Sequence, residues 1–279
     1  MCMRKLFTFV TLIALLPRLH LAQCAEKPER IVSLGTYVTE NLHLLGADDA
    51  IVAVTAHEKP LFKKGREIIG TLLEPNVEKI VLLEPDLVIA SKEGNRPQSV
   101  RKMRDVGLTV VVLEELFGFD DICGNFLRLG DLLAKRQEAR RIVARQRNRL
   151  SLLRTSRKTG DYRPSVFLCV GRRPLFTTGT ATYLHEMLDR AGARNLFGDI
   201  DKKYSAVNIE EVVRRNPDVI IELSMGTEKP APWERFPEMK AVRENRVFSV
   251  NPELFCSPTP ASFVDAVERI AEMAHMRIP

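Results

Sequence analysis

Apolar and polar positions along this chain form a pattern that is stated twice. In "NVEKIVLLEPDLVIA", residues 76–90, Asn76 stands where a helix cap belongs and Val77 to Leu83 gives two helical turns. Pro85 then forces the chain out of the helix, and Leu87 to Ala90 is an unbroken apolar run, the signature of a buried parallel strand. The second half repeats the unit as "NIEEVVRRNPDVIIE", residues 208–222: Asn208 caps, Ile209 to Arg215 turns, Pro217 stops and Val219 to Ile221 enters a strand. The flanks are echoed as well. "TENLHLLGADDAIVAVT", a helix ending at Gly46-Ala47, matches "YLHEMLDRAGARNLFG", ending at Gly192-Ala193, and "MRDVGLTVVVLE" from Met103 matches "MKAVRENRVFSV" from Met239. This alternation of strand and helix predicts an α/β protein of two duplicated lobes with mainly parallel sheets, over residues 25–121 and 159–279.

Between the lobes, residues 122–158 contain no proline and only Gly124 and Gly130 as weak breakers. Phe126, Leu129, Leu133, Ile142, Val143, Leu150 and Leu153 form an interrupted helical stripe, which predicts one long inter-lobe helix of about 50 Å. The arginines from Arg136 through Arg140, Arg141, Arg145, Arg147 and Arg149 to Arg154 lack aromatic partners. They read as a solvated helix face and not as a nucleic-acid surface.

The first residues stand apart. Arg4 and Lys5 precede an apolar run from Leu6 to Leu16 that Pro17 ends, too short to span a membrane and suited to the core of a secretory signal over residues 1–24. "LAQCA" then offers two readings: a signal-peptidase site with cleavage after Cys24, or a lipobox with Leu21, Ala22 and Cys24 as the lipidated residue, from which Gln23 departs. Either reading places the chain in the periplasm or on the outer face of the cytoplasmic membrane, lipid-anchored in the second case. Loss of residues 1–23 removes Arg4, Lys5 and Arg18 and no acid, so a formal charge of +6 falls to +3. With 279 residues and 45% hydrophobic content the chain has enough apolar surface for the core that two lobes require. Cys123, Cys169 and Cys256 show no CxxC spacing, which supports neither a zinc ribbon nor a redox dithiol; they read as buried thiols.

Four segments in order, "ERIVSLGTYVTENLHLLG", "NVEKIVLLEPDLVIASKEGN", "VFLCVGRRPLFTTG" and "NIEEVVRRNPDVII", resemble the periplasmic substrate-binding proteins of ATP-driven importers whose lobes are joined by a single rigid helix, the cobalamin, ferric-siderophore and haem group. The resemblance runs from Glu29 to the C-terminal helix and is nearest the cobalamin-binding members. It implies an ABC permease dimer with cytoplasmic ATPase subunits as partner, a metal chelate as transported ligand, no resident cofactor and only modest lobe closure. It further implies that Glu78 and Glu210, one on each lobe tip, pair with arginines of the permease. Independently, both stand in the first turn of an exposed helix, where the helix dipole favours a carboxylate with or without a partner.

The ligand is expected between the lobes, where loops after the C-terminal strand ends converge. First-lobe candidates are Thr36, Tyr37, His57 to Pro60, Leu72 with Leu73, and Lys92 to Arg96. Second-lobe candidates are Arg172, Arg173, Phe176, Tyr204 and Phe255. Aromatic and leucine side chains suit a flat macrocycle, and Arg and Lys suit carboxylates or amides. Thr71 stands where haem-binding relatives carry a ligating Tyr, and Leu72 where cobalamin relatives place a Trp. Arg172 and Arg173 with Lys59, Lys63, Lys64 and Lys92 tilt the cleft positive if they face inward, which favours a ferric siderophore or another anionic chelate; by segment similarity a corrinoid ranks first and a ferric siderophore second. Haem and a single metal ion are further alternatives; with five histidines and none of them at ligand spacing, His57 reads as a loop residue before it reads as a metal ligand. No GxGxxG, GxxxxGK[ST] or GxSxG motif occurs, and "HEMLD" from His185 ends in Asp189 and is not HExxH, so the sequence points to a binding protein and not to an enzyme.

Overall fold

A computed structural model describes residues 27–155, 162–224 and 233–276. The leader and Cys24, with both readings of it, lie outside these residues. The first lobe runs β1 (Ile31–Ser33), α1 (Thr36–Leu44), β2 (Ile51–Val54), α2 (Pro60–Lys63), β3 (Glu67–Ile68), α3 (Val77–Leu82), β4 (Leu87–Ser91), α4 (Pro97–Asp105) and β5 (Val110–Leu113). Its strands form one parallel sheet in the order β3-β2-β1-β4-β5.

Two helices follow, α5 (Phe119–Leu132) and α6 (Arg136–Thr155). The expected single helix over 122–158 is therefore corrected: the chain breaks at 133–135. Ala134 takes a left-handed φ of 55° and the Lys135 N–H turns back to the Gly130 carbonyl at 2.7 Å, closing α5. The two helices then fold back on each other. A Cβ on Gly130 would lie 2.5 Å from the Ala139 Cβ, and Arg147, well along α6, reaches Asp120 at the start of α5 at 2.9 Å. The interrupted stripe belongs to two facing helices, with α6 alone carrying the chain onward.

The second lobe runs β6 (Ser165–Arg172), β7 (Leu175–Thr178), α7 (Tyr183–Arg190), β8 (Arg194–Asn195), β9 (Tyr204–Ala206), α8 (Ile209–Arg215), β10 (Val219–Leu223), α9 (Lys240–Arg243), β11 (Val247–Val250), α10 (Glu253–Cys256) and α11 (Pro260–His275). Its sheet is ordered β11-β10-β6-β7-β9, with β8 also paired to β6, and the β6–β7 and β7–β9 pairs are antiparallel.

The repeated unit has the same physics in both lobes. The Asn76 Oδ1 accepts from the Lys79 N–H at 2.9 Å, and the Asn208 Oδ1 from the Glu211 N–H at 2.8 Å. The aspartate after each proline stitches the incoming strand to its neighbour. Asp86 Oδ2 accepts from the N–H groups of Glu29 and Arg30 at 2.8 and 2.9 Å. Asp218 Oδ2 accepts from the Ser165 N–H and hydroxyl at 2.6 and 2.7 Å. A helix cap, a proline stop and a strand stitch account for the conserved letters within the two copies.

One continuous apolar core joins Ile31, Ile89 and α1 of the first lobe, the α5–α6 pair, and Val166, Ile221, α7 and α11 of the second. Smaller clusters cover the outer faces of the two sheets. A shared core of this kind restricts the lobes to small relative motion.

Candidate functional site

Because both central strands of each sheet run in parallel, their C-terminal ends gather the loops that face the other lobe. At the first lobe, Thr36 opens α1 directly after β1, and Gly35 there has φ 133°. A Cβ on Gly35 would lie 2.6 Å from Leu72 Cδ1, and one on Gly94 would lie 2.3 Å from Leu72 Cδ2. Leu72 is thus seated between two glycines, and the Asn95 side-chain amide donates to its carbonyl at 2.9 Å. It locks the loops after β1 and β4 together as part of the cleft wall.

Glu58, after β2, is the buried polar centre of this wall. It is 3% exposed, and its Oε1 accepts from the hydroxyls of Thr39 at 3.0 Å and Thr55 at 3.2 Å. Burial pushes its carboxyl above the ordinary glutamate range, against the hydrogen bonds from the threonines. His57 beside it is exposed. Lys59 reaches toward the second lobe, with its Nζ 2.5 Å from Glu40 and 3.6 Å from Glu253 of that lobe.

Three tyrosines meet across the floor. Tyr37 is 8% exposed, belongs to the shared core and accepts from the Asn125 side-chain amide at 3.2 Å. Tyr183, fully enclosed at the start of α7, hydrogen-bonds Tyr204, which is 41% exposed and presents the open face. Burial, and then the nearby Glu93 carboxylate, pushes the Tyr204 phenol up to about 12. Beside Tyr204, the Lys203 Nζ lies 3.1 Å from Glu93 and 2.7 Å from Glu115, both of the first lobe, and 5.1 Å from the centre of the Phe117 ring. Burial alone would lower the Lys203 ammonium, but the hydrogen bonds of Glu115 and Glu93 outweigh it and hold it above the ordinary lysine range.

The other expected residues take varied places. Arg172 does not offer its charge to the cleft: its side chain is 6% exposed and bound at 2.7 Å to Glu222, whose other oxygen accepts from the Trp233 indole at 3.0 Å. Phe255 is fully buried in the shared core, so it supports the wall from behind. Lys92 pairs with Glu114 at 2.5 Å beside the β5 edge, where Arg104 and Arg128 cap the carbonyls of Val110 and Val112. Arg96 pairs with Glu74 at 3.1 Å in a groove that also holds Glu78. Arg173 is exposed and Phe176 half-buried on the β6–β7 hairpin. Glu78 and Glu210 are both exposed in the first turns of α3 and α8. Cys123 and Cys169 are buried as expected, while Cys256 is exposed, close to Tyr204 and Tyr183.

Glu58 and Glu93 lie within the candidate stretches of the sequence, and the residues that sequence reading missed are Glu115, Tyr183 and Lys203. No local pattern marks them, since each acquires its place through partners distant along the chain. Among the described residues no three or more His, Cys, Asp or Glu side chains gather as a metal site would need, and no helix is long and apolar enough to cross a membrane.

Comparison with known proteins agrees with this architecture. The family model described as periplasmic binding protein matches residues 31–254. An uncharacterized ABC transporter substrate-binding lipoprotein, YvrC of Bacillus subtilis, is 30% identical over 88% of this chain and 80% of its own length. The periplasmic vitamin B12 binding protein BtuF of Vibrio cholerae superposes with a TM-score of 0.77 at 28% identity, over 88% of this chain and 96% of that one. The periplasmic haem binding protein HutB of Vibrio cholerae shares the fold, with a TM-score of 0.77 at 19% identity over 88% of this chain and 98% of its own.

Proposed function

We propose, from the premise that this chain belongs to the periplasmic binding protein family and is a substrate-binding protein of an ABC transporter and not an enzyme, that its ligand is a cobalamin or related corrinoid. The observation that supports this over an anionic ferric chelate is the charge of the cleft. Lys59 faces Glu40 and Glu253, Lys203 faces Glu93 and Glu115, and Arg172 is bound to Glu222, so each of these three cations meets at least one carboxylate and both lysines meet two. An anionic chelate entering such a gap would give up hydration and meet surplus carboxylates. A large amide-fringed macrocycle asks instead for aromatic walls and scattered hydrogen-bonding groups, which Tyr204, Phe176 and Leu72 with their polar neighbours supply.

The loaded protein would present Glu78 and Glu210 to the two halves of a permease dimer, whose ATPase subunits drive release into the pore. Its place is the periplasm or the outer face of the cytoplasmic membrane, tethered there if Cys24 is acylated.

Isothermal calorimetry of the mature chain against cyanocobalamin, haem and an anionic ferric catecholate tests the ligand. One-to-one binding of cyanocobalamin with no heat from the catecholate is expected. Binding of the catecholate alone would overturn the charge argument, and binding of haem alone would transfer the tyrosine floor to iron ligation.

A further inference from the structure

Two lysines rooted in opposite lobes reach across the gap in opposite directions. Lys203 leaves the second lobe just before β9 and is held by Glu93 and Glu115 of the first, at 3.1 and 2.7 Å. Lys59 leaves the first lobe just before α2 and is held by Glu40 of its own lobe at 2.5 Å and by Glu253 of the second at 3.6 Å. Their side chains are 25% and 29% exposed, so both sets of pairs stand partly out of water, where charges attract more strongly than on an open surface.

The geometry points to Lys203 and Lys59 as positioning residues that set the width of the ligand cleft. The shared core behind the cleft already confines the lobes to small movements. Within that narrow range, two ion-pair clusters at the cleft are enough to decide how far the walls stand apart. The Lys203 cluster is the stronger brace. Both of its carboxylates belong to the opposite lobe, and the Phe117 ring lies under the ammonium at 5.1 Å. The Glu93 Oε1 that it binds also accepts from the Leu116 N–H at 2.6 Å, which fixes the receiving carboxylate to the β5–α5 crossover. The Lys59 cluster is the weaker one, because its shorter pair lies within one lobe and only the longer pair crosses.

Opening the cleft for a ligand then requires parting the Lys203 pairs, and dissolved salt, which screens those pairs, should make opening easier. Removing Lys203 should do the same, since it also leaves Glu93 and Glu115 without the cation that draws them toward the second lobe. The claim about ligand entry rests on the cleft being the ligand site proposed above; the claim about cleft width does not.

Pulsed electron–electron distance measurements on the ligand-free full chain carry the test, with spin labels at the exposed positions of Val106→Cys and Glu238→Cys in a Cys2→Ser, Cys24→Ser, Cys256→Ser background that keeps only the buried Cys123 and Cys169. Lys203→Gln is expected to lengthen and broaden the inter-lobe distance, Lys59→Gln to do so less, and Lys203→Arg to restore the original distribution. Raising sodium chloride should shift the parent protein toward the Lys203→Gln distribution and move Lys203→Gln itself much less, through the Lys59 pairs alone. An unchanged distribution in folded Lys203→Gln overturns the inference. Stopped-flow association with cyanocobalamin is the second arm, and Lys203→Gln should associate several-fold faster. A loss of affinity with unchanged distances makes Lys203 a ligand contact and also overturns it. If cyanocobalamin fails to bind the parent protein, the ligand proposal falls while the distance arm still decides the brace.

Discussion

The two lobes carry the same repeated unit yet differ at the cleft and at the tips. The helix cap, the proline and the strand-stitching aspartate recur with the same hydrogen bonds at Asn76, Pro85 and Asp86 and at Asn208, Pro217 and Asp218. At the tips the chemistry parts. The first lobe presents Leu82, 83% exposed, followed by the half-buried Leu83, whereas the second lobe places Arg214 and Arg215 at the matching positions. Both arginines bind Glu211, and Arg215 also binds Asp199 and stacks 4.4 Å over Phe197. At the cleft, the first lobe buries a single carboxyl among threonines and the second buries an ion pair beneath a tryptophan. Local backbone rules survive duplication because each copy needs them to fold. Walls and tips diverge because they answer to different neighbours.

The largest expected effect lies in the buried pair that only the second lobe has. Arg172→Met leaves Glu222 buried at 2% exposure without its cation, at a cost of about 3–5 kcal/mol. Urea unfolding should show a midpoint well below that of the parent, and an unchanged midpoint would mean that water or another cation replaces the guanidinium.

A middle-sized effect is expected at the stitching aspartate of the second lobe. Burial raises the Asp218 carboxyl, but hydrogen bonds from Lys240 and Ser165 overcome it and hold the group down at about 2. A carboxyl lowered on folding stabilises the protein above its unfolded value near 4 and loses that contribution as pH falls toward 2. Roughly 2 kcal/mol should disappear across that window in the parent and not in Asp218→Asn. Acid titrations of the unfolding midpoint with the same slope in both proteins would remove Asp218 from the account.

The smallest effect on the molecule itself is expected at the tips. Glu78→Ala and Glu210→Ala change exposed residues and should alter stability by less than about 0.5 kcal/mol and leave ligand affinity unchanged. Uptake through the reconstituted permease should nevertheless fall, most in the double variant. Equal uptake by parent and double variant would end the docking role and leave the two glutamates as helix-dipole partners alone.

The lobes and the repeat were legible because caps, prolines and apolar runs act within a few residues. The end of α5 was not, since Ala134 in a left-handed conformation gives no signal that glycine would have given. Tyr37 and Phe255 carried the residue type of a ligand wall, but the fold sends them into the shared core. The positive charge of Arg172, Lys59 and Lys92 is met by carboxylates from other parts of the chain, Glu222, Glu40 with Glu253, and Glu114. Counting cations in loops omits the carboxylates that folding brings to them.

The core that runs from Ile31 through the α5–α6 pair to α11 has a consequence for ancestry. Whatever single unit was once doubled, neither half of today's chain could be cut out and expected to stand alone: either piece would expose the apolar side it now hides in the other. The doubling has become irreversible, and the protein should melt in one cooperative step instead of two.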